Sequence, residues 1–532
     1  MPRKKNIKNS KPKKGVQTEI QTKISNTLTN DLDIDDAFKL ADLYFKQPNV
    51  MYRHLYNSFD KFLDETVHTI LEKEENVFFE KIDKNKIYRY KFVFSDVSFK
   101  PPLLDGEDEY LFPSVARLRN LTYGVKLLST VTQVQEVIDI VTDEKVTNVI
   151  GYPEYEVPIA TIPIMVRSKY CNLSLKPGED REECSYDPGG YFIVNGSEKV
   201  VISLERMCEN KPLVFIKKDS NALIHIVQVN SKANSSNSPI QILAVRMKKD
   251  KSMTLKVPLF NDVPVLILFR ALGIETDKNI IDYIVHNNDD HQMINLVRVA
   301  LDASHPGGEE GFIFTQLEAE DHLMSKMRVT KRYTETDQDL KMAQKRAHLR
   351  SVLENNLLPH VEGGKEEKAI YLGYMMNKLL NCYLGRNKPD DRDSYVNKRV
   401  DLPGTIIEEL FRQYYKKMIN ECSKFFKKRN SDDEKPLPII NQIKPNIIEQ
   451  GLKATLLTGT WGKKHGVAQM LQRITYLKML STLRRVNSPT IDVSTNKLTS
   501  PRHLHPTQIG FICFIETPEG QKVGLVKNLS LF

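Results

Sequence analysis

The stretch that decides the fold runs Gly459-Thr-Trp-Gly-Lys-Lys-His-Gly-Val-Ala-Gln469 and leads through a periodic segment into Leu483-Arg-Arg-Val-Asn-Ser-Pro489. Between Lys453 and Ile515, nine Lys or Arg face a single acid, Asp492. A one-signed surface of that length suits a partner built as a line of phosphates, such as a duplex or an RNA-DNA hybrid. Val467, Met470, Leu471, Ile474 and Leu477 follow helical spacing and predict one apolar face, with Gln469, Arg473, Tyr476 and Arg484 on another side. The plainer alternative is a solvated amphipathic helix. Gly459 and Gly462 bracket the sole tryptophan, Trp461, and Lys463, Lys464 and Gly466 follow. The spacing is not that of a Walker A loop. Asn487-Ser-Pro489 stops the predicted helix, and a polar loop from Thr490 to Ser500 leads to Arg502.

Working outward, 532 residues with 40% hydrophobic and 27% charged content predict a globular chain of about three to four domains. No apolar run approaches the ~20 residues of a membrane-crossing helix, and the first residues do not read as a signal peptide, so neither membrane nor secretion is expected. Seven basic residues fall within Met1 to Lys14, which has no acid, so the rest carries only +2 of the net +9. Residues 1–30 read as a disordered basic tail, either a targeting or nucleic-acid arm or a solubilising one. Six cysteines without a Cys-x-x-Cys pair predict reduced thiols and no zinc site.

Ala37 to about Val77 is predicted helical, with Phe38, Leu40, Leu43, Tyr44, Phe59, Phe62 and Leu63 as core. Tyr88 to Ser98 alternates as a strand. Gly189 to Ser203 predicts a hairpin turning at Asn195-Gly196, since a type I′ turn needs positive φ at both central residues. Lys199, Glu205 and Arg206 read as ion pairs tying that hairpin to a neighbour. Val263 to Leu272 and Ile280 to Ile284 supply apolar core, and Lys331 to Leu353 is a charged helix. Helices resume from Ala369 and lead to Asp390-Asp-Arg-Asp393. Those three aspartates could hold magnesium, but Arg392, Lys398 and Arg399 lie near enough to neutralise them, so a structural ion-pair network is expected.

Leu483-Arg-Arg-Val-Asn-Ser-Pro489, Pro501-Arg-His-Leu-His-Pro-Thr507, Glu516-Thr-Pro-Glu-Gly520 and Gly524-Leu-Val-Lys-Asn-Leu529 stand in the order and spacing of one family. The chain resembles the second-largest, beta-like subunit of multisubunit DNA-directed RNA polymerases, over nearly its whole length but only about the first half of that subunit. The resemblance implies an α+β, multidomain fold: tail 1–30, protrusion 31–210, lobe 211–360, return to the protrusion 361–450, and fork 451–532. Arg117-Leu-Arg-Asn-Leu-Thr-Tyr-Gly124 resembles a protrusion strand. Gly459 to Gly466 and Ile491 to Thr499 would be the two fork loops, the first shorter than in many relatives.

The same resemblance implies a cleft wall that places Lys463, Lys464, Gln469, Arg473, Arg484, Arg485, Lys497 and Arg502 near DNA and the RNA-DNA hybrid, with Glu516 and Glu519 behind the active centre. No residue of this chain is expected to be catalytic. The Mg²⁺ ligands belong to the largest subunit, and the triphosphate-binding residues to later sequence. Expected partners are the largest subunit, other polymerase subunits, and a chain or continuation carrying the later half. Abundant Lys, Asn and Ile look like a large DNA virus, implying a virion or cytoplasmic factory, with the nucleus as the cellular alternative. A non-catalytic nucleic-acid-binding or assembly protein derived from the subunit is the competing functional class.

Overall fold

The computed structural model describes residues 34–531 apart from 74–75, 84–85, 105–108, 140–144, 179–181, 220–221, 234–239, 258, 261, 303–312, 329–337, 430–438, 463 and 489–498. The basic tail 1–30 and the second predicted fork loop therefore lie outside the described residues. The chain divides into two units at His54/Leu55. In the first, the helix Ile34–Phe45 forms as predicted. Its expected core residues Phe38, Leu40 and Leu43 are instead 61–69% exposed. Among the described residues of that unit, the helix and the turns after it supply no opposing apolar surface.

The second unit is built on antiparallel sheets covered by helices, which is the α+β class. Val77–Asp83, Lys86–Lys100, Gly124–Asp139 and Lys145–Pro163 form a four-stranded meander. Alternation of Phe92 and Phe94 places both rings on its buried face. There Phe426, from the helix Pro403–Arg429, packs 5.2 Å from Phe78 and 5.0 Å from Tyr90. Phe59, Phe62 and Leu63 are buried as predicted. Arg117 to Gly124 is not a strand: Pro113–Leu118 is a short helix started by its proline, and the strand begins only at Gly124.

A second sheet joins Leu213–Asp219, Ala222–Ser231, Gln241–Met247, Met253–Lys256 and Val263–Pro264. It shares one apolar core, from Val214 to Cys382, with the helices Val265–Ala271, Asp277–Val285 and Lys365–Tyr383. The predicted charged helix spans Gln338–Asn355. All six cysteines are free thiols. Among the described residues no helix is long and apolar enough to cross a membrane.

Two small sheets hold the basic region. Phe192–Val194 and Ser197–Val201 make the predicted hairpin, and Asn195 (φ 47°) with Gly196 (φ 74°) provides the turn. Next to it, Lys398–Asp401, Ser203–Met207, Arg485–Asn487 and Val526–Asn528 lie side by side in that order.

Candidate nucleic-acid interface

The helix Pro445–Thr458 ends at Gly459, whose left-handed φ of 67° turns the chain. A Cβ there would stand 2.2 Å from the Ala468 carbonyl oxygen. Thr460–Trp461 then pairs with Lys464–His465. Trp461 Nε1 donates to Gln413 Oε1 at 3.2 Å. Lys464 Nζ sits 5.4 Å over the indole and 3.7 Å from Glu409, so its charge is shared between ring and carboxylate. Lys463 and Lys497 lie outside the described residues.

The helix predicted from Val467 to Leu477 is not formed. Ala468–Met470 instead pairs as a strand with Ser197–Val201. A helix begins only at Tyr476–Leu483, where the Thr475 hydroxyl accepts from Lys478 N at 3.1 Å. The hairpin edge offers a ladder that replaces helical hydrogen bonds, and this long-range pairing overrides the local period. Val467 and Leu471 are buried, whereas Met470, Ile474 and Leu477 are 61–77% exposed.

Three of the remaining candidates are differently committed. Arg473 is gripped by carboxylates, with Nε donating to Glu198 at 2.6 Å and Nη2 to Asp187 at 2.7 Å. Glu198 and Asp187 push its pKa still further up, and Arg117 lies 3.2 Å from the same Glu198. Arg473 thus ties its loop to the hairpin. Arg502 donates to the carbonyls of Gln521 (2.6 Å) and Val523 (2.9 Å). Arg484 Nη2 donates to the Ser530 carbonyl. Carbonyl acceptors fix a guanidinium without cancelling its charge.

Arg485 donates through Nη1 to Gln469 Oε1 at 2.9 Å, and Gln469 Nε2 in turn donates to the Gly466 carbonyl at 3.1 Å. The structure thus brings Gln469 and Arg485 together, from residues 16 apart in sequence. Burial pushes the Arg485 guanidinium down from its ordinary value, partly offset by Glu516, and among the described residues it has no ion pair. Glu516 accepts from Ser481 Oγ at 2.5 Å.

The platform beneath is a buried charge cluster. Glu205 accepts from Lys398 Nζ (2.6 Å), Lys527 Nζ (3.0 Å) and Tyr395 Oη (2.5 Å), joining three of the four strands in that sheet. Burial pushes Glu205 up, but Lys527 and Lys398 outweigh it and hold the carboxyl below its usual range. Arg206 pairs with Asp401 at 2.6 Å. The expected ion pairs of Glu205 and Arg206 are therefore present, while Lys199 donates instead to the Leu457 carbonyl.

Around Asp390 the expected Lys398 does lie 4.0 Å from Asp393, but the other neutralising groups differ from those expected. Asp390 pairs with Lys378 at 2.7 Å, Asp391 with His505 at 2.9 Å, and Asp393 accepts from Ser500. Arg392 stacks on Phe215 and Arg399 donates to carbonyls, because the helix carrying Lys378 reaches the aspartates first. Among the described residues no three His, Cys, Asp or Glu side chains are grouped to hold a metal ion.

Sequence reasoning passed over Lys478 and Lys522. Both line a cavity beside Arg485, and their only signal in the sequence is membership of the basic run and of the turn after Glu519.

Comparison with known proteins gives the same lineage. The pattern described as RNA polymerase beta subunit matches residues 50–450, and that described as RNA polymerase Rpb2, domain 3, matches 469–532. The chain belongs to the RNA polymerase beta subunit family. It is 44% identical over 523 residues to DNA-directed RNA polymerase subunit 2 of Acanthamoeba polyphaga mimivirus, covering 95% of this chain and 43% of that protein. With DNA-directed RNA polymerase II subunit 2 of Arabidopsis thaliana it shares 37% identity over 532 residues, covering 93% of this chain and 43% of the relative. With DNA-directed RNA polymerase subunit Rpo2 of Saccharolobus shibatae the figures are 31% over 519 residues, 95% and 42%. The chain thus spans less than half the length of these relatives and corresponds to the amino-terminal part of the subunit.

Proposed function

We propose that this chain forms one wall of the DNA cleft of a DNA-directed RNA polymerase and sets its fork beside the RNA-DNA hybrid during transcription. The observation that carries the reading is the Gln469–Arg485 pair: a half-buried guanidinium, held by a neutral amide and free of any ion pair among the described residues. Such a group retains its full charge for phosphate. Arg484 and Arg502, each donating to a carbonyl, would lie beside it, with Lys463, Lys464 and Lys497 as further phosphate ligands. Arg473 would act one step back, by fixing the loop that follows Gln469.

Residues 31–210 and 361–450 would be the protrusion, 211–360 the lobe and 451–532 the fork. Nucleotidyl transfer would take place in the assembled enzyme, with Mg²⁺ supplying charge neutralisation on the phosphates. The side chains here do not fit that ion, since Asp390, Asp391 and Asp393 are engaged by Lys378, His505 and Ser500. The ligands would come from the largest subunit, which would be a partner together with the later half of this subunit. The setting would be a virion or viral factory, or a nucleus.

The test is Arg484→Ala with Arg485→Ala in the assembled polymerase. Hybrid affinity should fall, and the slope of log K against log salt should flatten by about 0.9 for each phosphate no longer neutralised. An unchanged slope with a lowered unfolding temperature would refute the phosphate role.

A further inference from the structure

A cavity of about 350 Å³ opens between the helix Tyr476–Leu483 and the turn that follows Glu516. Its wall gathers Lys478, Arg485 and Lys522 against one acid, Glu516. Neither lysine has an ion-pair partner among the described residues, and Arg485 has only the neutral Gln469 amide. Part of the acid is already engaged, because Ser481 Oγ donates to Glu516 Oε1 at 2.5 Å. Three cations lining one cavity repel one another, and with Arg485 already depressed by burial the arrangement favours a multiply charged anion.

We propose that this cavity is a binding site for an oligophosphate group, the di- or triphosphate end of a small molecule. Size favours that class, since the volume stands at the low end of small-ligand pockets. Charge geometry favours it too. A nucleic-acid backbone spreads single charges along an open groove, whereas this cavity concentrates three cations around a compact space. Arg485 supplies a planar fork for two phosphate oxygens, and the lysines supply point charges on flexible stems. The site shares Gln469 and Arg485 with the hybrid face, and Lys478 and Lys522, which play no part in that reading, distinguish it.

The test is calorimetric titration of the 532-residue chain with sodium tripolyphosphate. One saturable site is expected. Lys478→Ala with Lys522→Ala should weaken it by about tenfold or more, as removal of charge-assisted hydrogen bonds does. Both lysines lie outside the core, so the unfolding temperature should hold. Glu516→Gln should tighten binding by removing the opposing charge. Lys453→Ala, a lysine paired with Glu449 at 2.5 Å, should change nothing. Absence of saturable binding, equal binding by the double variant, or displacement by an oligonucleotide lacking terminal phosphates as readily as by tripolyphosphate would each overturn the proposal. Hybrid affinity can persist or fail independently of these results.

Discussion

Replacing Glu205 with Gln removes the carboxylate that receives Lys398, Lys527 and the Tyr395 hydroxyl, in a cluster where Glu205 and Lys527 are 7% and 6% exposed. Two ammonium groups are left facing a neutral amide. Deleting one member of a buried ion pair costs about 3–5 kcal/mol, because the remaining charge is uncompensated. Lys527 is already pushed down by burial, so shedding its proton limits the loss, and about 3 kcal/mol is expected. Urea unfolding of the chain, at neutral pH and again in acid below 4.5, measures it as a lowered midpoint. Because folding holds the Glu205 carboxyl below its unfolded value of 4.5, its contribution is complete above that pH and disappears as pH falls through the folded value. The deficit of the variant should shrink along that acid limb. Adding Lys527→Met should recover part of the loss, since an apolar side chain of similar shape relieves the stranded charge. A deficit under about 1 kcal/mol, typical of an exposed pair, or one that keeps its size in acid, would refute this account.

Gly459→Ala introduces a Cβ 2.2 Å from the Ala468 carbonyl in a left-handed residue; thermal unfolding should report a loss of about 2 kcal/mol or more. Arg473→Ala should lower the unfolding midpoint through the abandoned Glu198 and Asp187, yet leave the salt slope of hybrid binding unchanged. A slope reduced by about one unit would place Arg473 on a phosphate instead.

What the sequence discloses depends on how far each cause reaches along the chain. The Asn195-Gly196 hairpin is legible because its turn chemistry is local, and the Val263 to Leu272 core because its apolar run is interrupted by only one charge, Arg270. Glu205 and Arg206 announce themselves as charges beside β-rich sequence. The basic candidates Gln469 and Arg485 are legible as residue types, but their mutual hydrogen bond is not, since helical periodicity placed Gln469 on an element that does not form. The true ladder partner of Ala468–Met470 lies at Lys199 to Val201. Likewise Arg473 reads as a free cation until the fold brings Glu198 and Asp187, 275 and 286 residues away, against it. No window along the chain contains both members of those pairs. Lys478 and Lys522 join one cavity only because a helix and a turn converge.

The Glu205 junction also sets a timetable for synthesis. Its two lysines lie 193 and 322 residues downstream, and the strands flanking Ser203–Met207 are themselves made of residues 398–401 and 485–487. At about 5–20 residues per second, the nascent strand waits roughly 15–60 s for its last cation. Meanwhile the whole Val214 to Cys382 core can close on residues already emerged. Ser203–Met207 spends that interval with both edges unpaired, a template for wrong strands. The nascent chain therefore passes through a stage at which one apolar core is closed and the sheet around Glu205 is still open.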